Sequence, residues 1–378
     1  MEPRALPAAG GAAHPPPRAL AALLAASFGL TALVPLTNAG PYGDLSQAYT
    51  DHLHHAHATW VFLAKGLDVY RLPLEQSSRG VYFPHETGAW PQMPVNYPPG
   101  MFAVFLPLAL AGRFVPMSQE TFGRLGILWL LLLAHLALAA VFLLLSELDA
   151  GGRAMVGVLA WIYLVRLALQ GFYDVAFIGA GALALRELHR ERPRGALLWL
   201  AAAGLLHYRA VALAPVGLAA VQMAVWGKSP REWPWRELVA VAAAGALTVY
   251  TFLLMWPVAE RYLATLPPTL AAVGAGPRFW AVLVASAAVA AASLWLSGWL
   301  VSALVLTAMG IALTDIYDWW HGAVLLFAPM AVGAMRSRSA SSARAVLLGW
   351  ILLMQPLGFD QTPSDLFRDF AARYRPRP

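Results

Sequence analysis

The chain has 378 residues; 59% are hydrophobic and only 12% charged, with 15 Trp and 12 Tyr. Soluble domains carry about 25% charged residues, so this balance excludes an ordinary water-soluble enzyme and makes lipid the main solvent. The net charge of +6 does not signal nucleic-acid binding, because the Arg residues fall in short loops between apolar runs, where membrane topology accounts for them. With no Cys in the chain, neither a disulfide nor a thiolate metal site is available.

Met1 to Pro17 is rich in Pro, Ala and Gly and is expected to be a disordered tail ahead of a membrane domain over 18–358, with residues 359–378 as a second tail. Apolar stretches of about 18–25 residues are long enough to cross a bilayer. Such runs lie near 19–36, 125–145, 154–170, 172–188, 210–226, 237–257, 280–297, 299–314, 320–335 and 345–358, with a shorter one near 195–206. The pattern predicts an all-α, polytopic protein of about eleven transmembrane helices. The first run reads as a retained helix rather than a cleaved signal, given so many later spans.

Residues 38–98 form a long polar insert after the first run. Within it, 50–66 reads as an amphipathic helix lying on the membrane surface, with Trp60, Phe62 and Leu63 toward lipid and Gly66 as its stop. The stretch 71–98, with several Pro, Gly and aromatic residues, reads as irregular structure. Residues 99–112 follow Pro98-Pro99 and are interrupted by Pro107, so a re-entrant half-helix is expected there.

Loop charge orients the chain. The loops 186–194, 227–236 and 336–344 are rich in Arg and Lys and are expected on the cytoplasmic side. The segments 171–174, 207–209, 258–278 and 314–320 then face outward, together with the insert 38–98. The same count places the C-terminal tail, with Arg368, Arg373, Arg375 and Arg377, outside as well, against the charge bias.

Polar residues that can carry chemistry concentrate on that outer side. Asp51 precedes His54 and His55 by three and four residues, so one helix face presents a carboxylate beside imidazoles. A carboxylate there can act as a general base, with a neighbouring His positioning it or a substrate. Asp is also a favoured N-cap, and the two roles are compatible. The cluster Asp51-His52-Leu53-His54-His55-Ala56-His57 contains zinc-type ligands, but its spacing matches no tight zinc pattern, and no metal is assigned. Gln170-Gly171-Phe172-Tyr173-Asp174 and His207-Tyr208-Arg209 each interrupt apolar runs, and Asp315, Asp318, Trp319, Trp320 and His321 gather at a third point. Ionisable groups at membrane depth are functional candidates by default. Arg209 suits a buried phosphate, to which a guanidinium gives two hydrogen bonds at once. Arg166, one turn before Gln170, can assist it or snorkel to the interface.

Taken in order, Asp51, then Gly66-Leu67-Asp68-Val69-Tyr70, then Tyr97-Pro98-Pro99-Gly100 resemble the first outer loop of GT-C glycosyltransferases. Within that superfamily the chain is most similar to the bacterial mannosyltransferases that use polyprenol-phosphate mannose. Gln170 with Asp174, the basic Arg209 and the Trp320-His321 pair resemble later family elements. The chain departs from the pattern at His54 and His55, where the family often has Tyr. It departs again at His207-Tyr208-Arg209 in place of Lys-Pro, and at Asp-Trp-Trp-His in place of Pro-x-x-Trp.

The resemblance implies a plasma-membrane, multi-pass enzyme with its active site on the extracytoplasmic face. Its donor would be a sugar, mannose or another hexose or pentose, carried on a polyprenyl phosphate. The acceptor would be a hydroxyl of a glycolipid, glycan or protein. Asp51 would be the catalytic base, and His54, His55, Tyr70, Tyr97, Gln170, Asp174, His207, Arg209, Trp320 and His321 would line the substrate site. No cofactor is implied. The alternative is a transporter or flippase for a lipid-linked or anionic substrate; such a protein would show internal symmetry between two halves, and none is apparent. A non-catalytic partner in envelope assembly is a third reading.

Overall fold

A computed structural model describes residues 17–37, 51–85, 94–145, 150–169 and 171–263, with Ala291. The two tails, the apolar runs from 280 onward, the 336–344 loop, Gln170, and the cluster from Asp315 to His321 lie outside the described residues. Every element among the described residues is helical, and none is a strand. In chain order they are α1 (Pro17–Thr37), α2 (Asp51–Lys65), α3 (Asp68–Arg71), α4 (Leu74–Ser77), α5 (Gly100–Phe114) and α6 (Gln119–Leu145). There follow α7 (Ala150–Leu169), α8 (Val175–His189), α9 (Pro193–Leu206), a 3-10 turn (Tyr208–Leu213), α10 (Ala214–Val225), a short 3-10 segment (Pro230–Glu232) and α11 (Trp235–Leu263).

Among the described residues, four helical stretches are long and apolar enough to cross a membrane: Arg18–Thr37, Gln119–Leu145, Tyr208–Val225 and Trp235–Arg261. Their surfaces support the same reading. On α6, Leu132, Leu136 and Leu143 face outward, and on α11 so do Val239, Leu247, Val249, Leu253 and Trp256. A helix bathed in water would put polar side chains there, since large contiguous apolar patches are rare on soluble monomers. By contrast α5, with 15 residues, is about 22 Å long and falls short of a hydrocarbon layer about 30 Å thick. That length fits the half-helix expected at 99–112. The same measure applies to α8, with 15 residues, and to α9, with 14.

Helix α6 is central, packing against α1, α7 and α8, while α9 packs against α8, α10 and α11. Small residues let these helices approach closely, as is usual between apolar helices in lipid. A Cβ added to Gly179 of α8 would lie 3.0 Å from Ala137 Cα of α6. One added to Gly100 would lie 2.5 Å from Leu205 O, so the first residue of α5 rests directly on the backbone of α9.

Helix α2 differs from its expected form. It spans the expected residues and stops before Gly66, whose φ of +60° provides the left-handed exit. It is not one-sided, however: His52 to Thr59 are all buried, packed against α5, α3 and α6. Trp60 and Phe62 are only half-buried, Phe62 stacking on Phe102 at 4.0 Å, while Leu63 is exposed. The imidazoles are enclosed because neighbouring helices carry gaps for them. Gly126 of α6 leaves the space that the His52 ring fills, and His52 Nε2 lies 3.1 Å from Gly123 O.

Candidate functional site

The site forms where three chain breaks meet. Helix α7 ends at Leu169 and α8 begins at Val175, and between them Gly171 adopts φ +89°. This turn delivers Tyr173 and Asp174 into the interior. Asp174 occupies the N-cap position of α8 but makes no capping hydrogen bond with its side chain. Its carboxylate turns instead toward the second break, at His207, where the backbone is extended (φ −153°, ψ 138°) between α9 and the 3-10 turn. Asp174 Oδ1 lies 3.2 Å from His207 Nε2 and 3.3 Å from Arg209 Nη1. The Arg209 backbone N–H donates to His207 Nδ1 at 3.0 Å, which makes Nδ1 the unprotonated nitrogen and leaves the ring proton on Nε2.

All three side chains are largely withdrawn from solvent: Asp174 is 1%, His207 5% and Arg209 16% exposed. Burial, then the Arg209 charge and then His55, push His207 well below the usual imidazole value. The ring is therefore neutral at pH 7, and Arg209 is the cation that balances the carboxylate.

The third break precedes α5. Tyr70, fully buried in α3, donates its hydroxyl proton to Tyr97 O at 2.9 Å, and Val95 N–H donates to Val69 O at 2.9 Å. The Gly-x-Asp-x-Tyr turn and the Tyr-Pro-Pro segment are thereby locked together. In this geometry Tyr70 positions Tyr97 and does not offer its proton elsewhere. The Tyr97 ring lies edge-on to both His207 (5.1 Å) and Tyr173 (5.1 Å).

Helix α2 closes the group. Its first residue is Asp51, one turn before His55. The His55 ring contacts Tyr97 at 4.7 Å, Phe105 at 5.0 Å and Tyr173 at 5.4 Å, and the His54 ring at 5.9 Å. The four imidazoles of α2 diverge. His52 turns to α6, His57 stacks on Phe83, and His55 reaches Tyr97 and Tyr173. Among the described residues no three His, Asp or Glu side chains converge as a metal-holding set.

Of the residues singled out from sequence, His54, His55, Tyr70, Tyr97, Asp174, His207 and Arg209 thus belong to one connected cluster, with Asp51 at the start of the helix that enters it. Gln170, Trp320 and His321 lie outside the described residues. Tyr173 and Phe105 were not anticipated. Tyr173 had a visible signal, a Tyr beside the candidate Asp174 at a helix break, whereas nothing distinguishes Phe105 from other apolar residues of α5. No known family model, curated protein sequence or solved structure matches this chain.

Proposed function

We propose that the chain is a membrane glycosyltransferase that moves a sugar from a polyprenyl-phosphate donor to an acceptor hydroxyl with inversion. The observation that carries this reading is the junction of α2 with the Asp174–His207–Arg209 cluster through His55, Tyr97 and Tyr173. It links a helix that begins at a carboxylate residue, through aromatic contacts, to an ion pair that orients a guanidinium. Those are the two groups that displacement of a phosphate by an alcohol requires.

In the proposed reaction Asp51 accepts the proton of the acceptor hydroxyl as its oxygen forms a bond to the anomeric carbon. The bond from that carbon to the phosphate oxygen breaks, and the electron pair leaves with the polyprenyl phosphate. Arg209, oriented by Asp174, meets the charge that develops on the leaving phosphate, with His321 assisting. A single displacement inverts the centre, and no nucleotide or metal has a role. The lipid tail would run among apolar helices of a bundle of about eleven spans in the plasma membrane, with the site on the extracytoplasmic face.

Substitution of Asp51 tests the reading. Asp51→Asn should abolish transfer from a polyprenyl-phosphate sugar while the purified protein keeps its unfolding temperature. Arg209→Lys, which keeps the charge and loses the planar fork, should weaken use of the donor at least tenfold in kcat/KM. Normal turnover by Asp51→Asn would remove the proposed base and, with it, the mechanism.

A further inference from the structure

Two polar groups at the heart of the site find no hydrogen-bond partner among the described residues. His55 is 2% exposed and Tyr173 1% exposed. Neither ring nitrogen of His55 nor the Tyr173 hydroxyl has a hydrogen-bond partner among the described residues. The two rings touch at 5.4 Å and share Tyr97 and Phe105 as neighbours. Buried polar atoms in folded proteins are almost always paired, because an orphan donor or acceptor forfeits its hydration. Two orphans in contact, beside an ion pair and inside an aromatic wall, are placed to take a partner from outside the described residues.

The chemistry of that partner follows from the donors and acceptors on offer. Burial, then His54, then His52 hold His55 well below the usual imidazole value, so it is neutral and presents one donor and one acceptor. A tyrosine hydroxyl is un-ionised at neutral pH and likewise both donates and accepts. A carboxylate only accepts and an ammonium only donates. Either would leave half of these groups unpaired and would itself be stripped of water. An alcohol matches both. Resting on the transferase reading above, we infer that His55 and Tyr173 form the hydroxyl-reading subsite for the transferred sugar, which selects a neutral hexose or pentose over a uronic acid or an amino sugar.

Transfer assays on the full chain in detergent, with a panel of polyprenyl-phosphate sugars, test this. The panel holds a neutral hexose, the matching uronic acid and amino sugar, and its monodeoxy analogues. The wild type should prefer the neutral sugar at least a hundredfold in kcat/KM and should reject one deoxy analogue. Tyr173→Phe should lose ten- to a hundredfold on the parent sugar while its rate on that analogue stays near the wild-type value. His55→Phe, which fills the space without polar atoms, should show the same loss of discrimination.

Without ligand, Tyr173→Phe should unfold at the same temperature as the wild type or higher, because it removes an unpaired buried group. Retained deoxy discrimination in Tyr173→Phe overturns the subsite and leaves the transferase reading standing. A lowered unfolding temperature with retained discrimination assigns the hydroxyl to a structural water and overturns it too. A wild type that transfers none of the panel overturns the transferase reading and this inference together.

Discussion

Arg209 Nη1 lies 3.3 Å from Asp174 Oδ1, joining the 3-10 turn after α9 to the first residue ahead of α8. Asp174 is buried and Arg209 largely so, and removing one member of a buried pair costs about 3–5 kcal/mol. Asp174→Asn and Arg209→Met should therefore each destabilise the protein by about 3 kcal/mol, somewhat softened where Arg209 retains solvent contact. The double variant should be clearly less destabilised than the two effects added, because neither charge is then left alone. Chemical unfolding in detergent of the four proteins measures the coupling; strict additivity would mean that the contact is incidental.

Acid should loosen α2. Burial lowers His52 and His57 from 6.5 to about 4, with His54 adding to the effect on His57 and the bond to Gly123 opposing it on His52. Since the folded-state values lie below the unfolded one, the unfolded chain takes up protons first as pH falls. Stability is fully present above about pH 6.5 and is lost progressively between pH 6.5 and pH 4, by about 3 kcal/mol for each ring. Unfolding temperatures should drop over that window, and His57→Phe should flatten the slope. A flat profile in the wild type would mean that these rings are not enclosed.

Glycine contacts give a sharp contrast. A methyl group at Gly100 would collide with the Leu205 carbonyl, which is backbone and cannot swing aside. Gly100→Ala should cost about 1–3 kcal/mol as the start of α5 is pushed off α9. Gly245, in the middle of α11, has nothing within 4 Å of an added Cβ, and Gly245→Ala should stabilise by about 0.5–1 kcal/mol through helix propensity. Differential unfolding of the two variants tests the α5–α9 contact; equal effects would remove it.

The first helix is held by a polar clasp. His135 Nδ1 donates to Leu131 O at 2.7 Å, which leaves His135 Nε2 to accept the Ser27 hydroxyl proton at 2.9 Å. Trp161 Nε1–H donates to Ser27 Oγ at 2.8 Å, so one serine ties α1 to both α6 and α7. Ser27→Ala should cost about 1 kcal/mol, in line with polar contacts between apolar helices, and should speed hydrogen exchange in α1 ahead of the remaining helices. Unchanged exchange there would show that α1 is held by apolar packing alone.

Much of this site was legible as a list before it was legible as a place. Asp174, His207 and Arg209 stand out because ionisable residues between apolar runs are costly in lipid, and Gly66 and Gly171 mark the breaks that their left-handed backbones make. The enclosure of 52–59 is not legible in the sequence, for a physical reason. Period alone finds the residues of a helix but cannot tell a solvent face from one covered by neighbours, and His52 and His57 look polar until Gly126 and Phe83 cover them. Tyr173 is a weak signal in the sequence because a tyrosine at the end of an apolar run is commonly an interface anchor; burial with no hydrogen-bond partner among the described residues is what marks it.

By itself the sequence determined the solvent and the local geometry: helices, because an apolar chain in lipid must satisfy its backbone internally, and breaks, because Gly and Pro interrupt them. Tertiary packing decided which polar groups meet and in what charge state. Asp174 and Arg209 are 35 positions apart, and His55 reaches Tyr173 across more than a hundred. Contacts of that reach depend on how α2, α5, α8 and α9 stack, and stacking is set by small residues that act only once two helices are side by side.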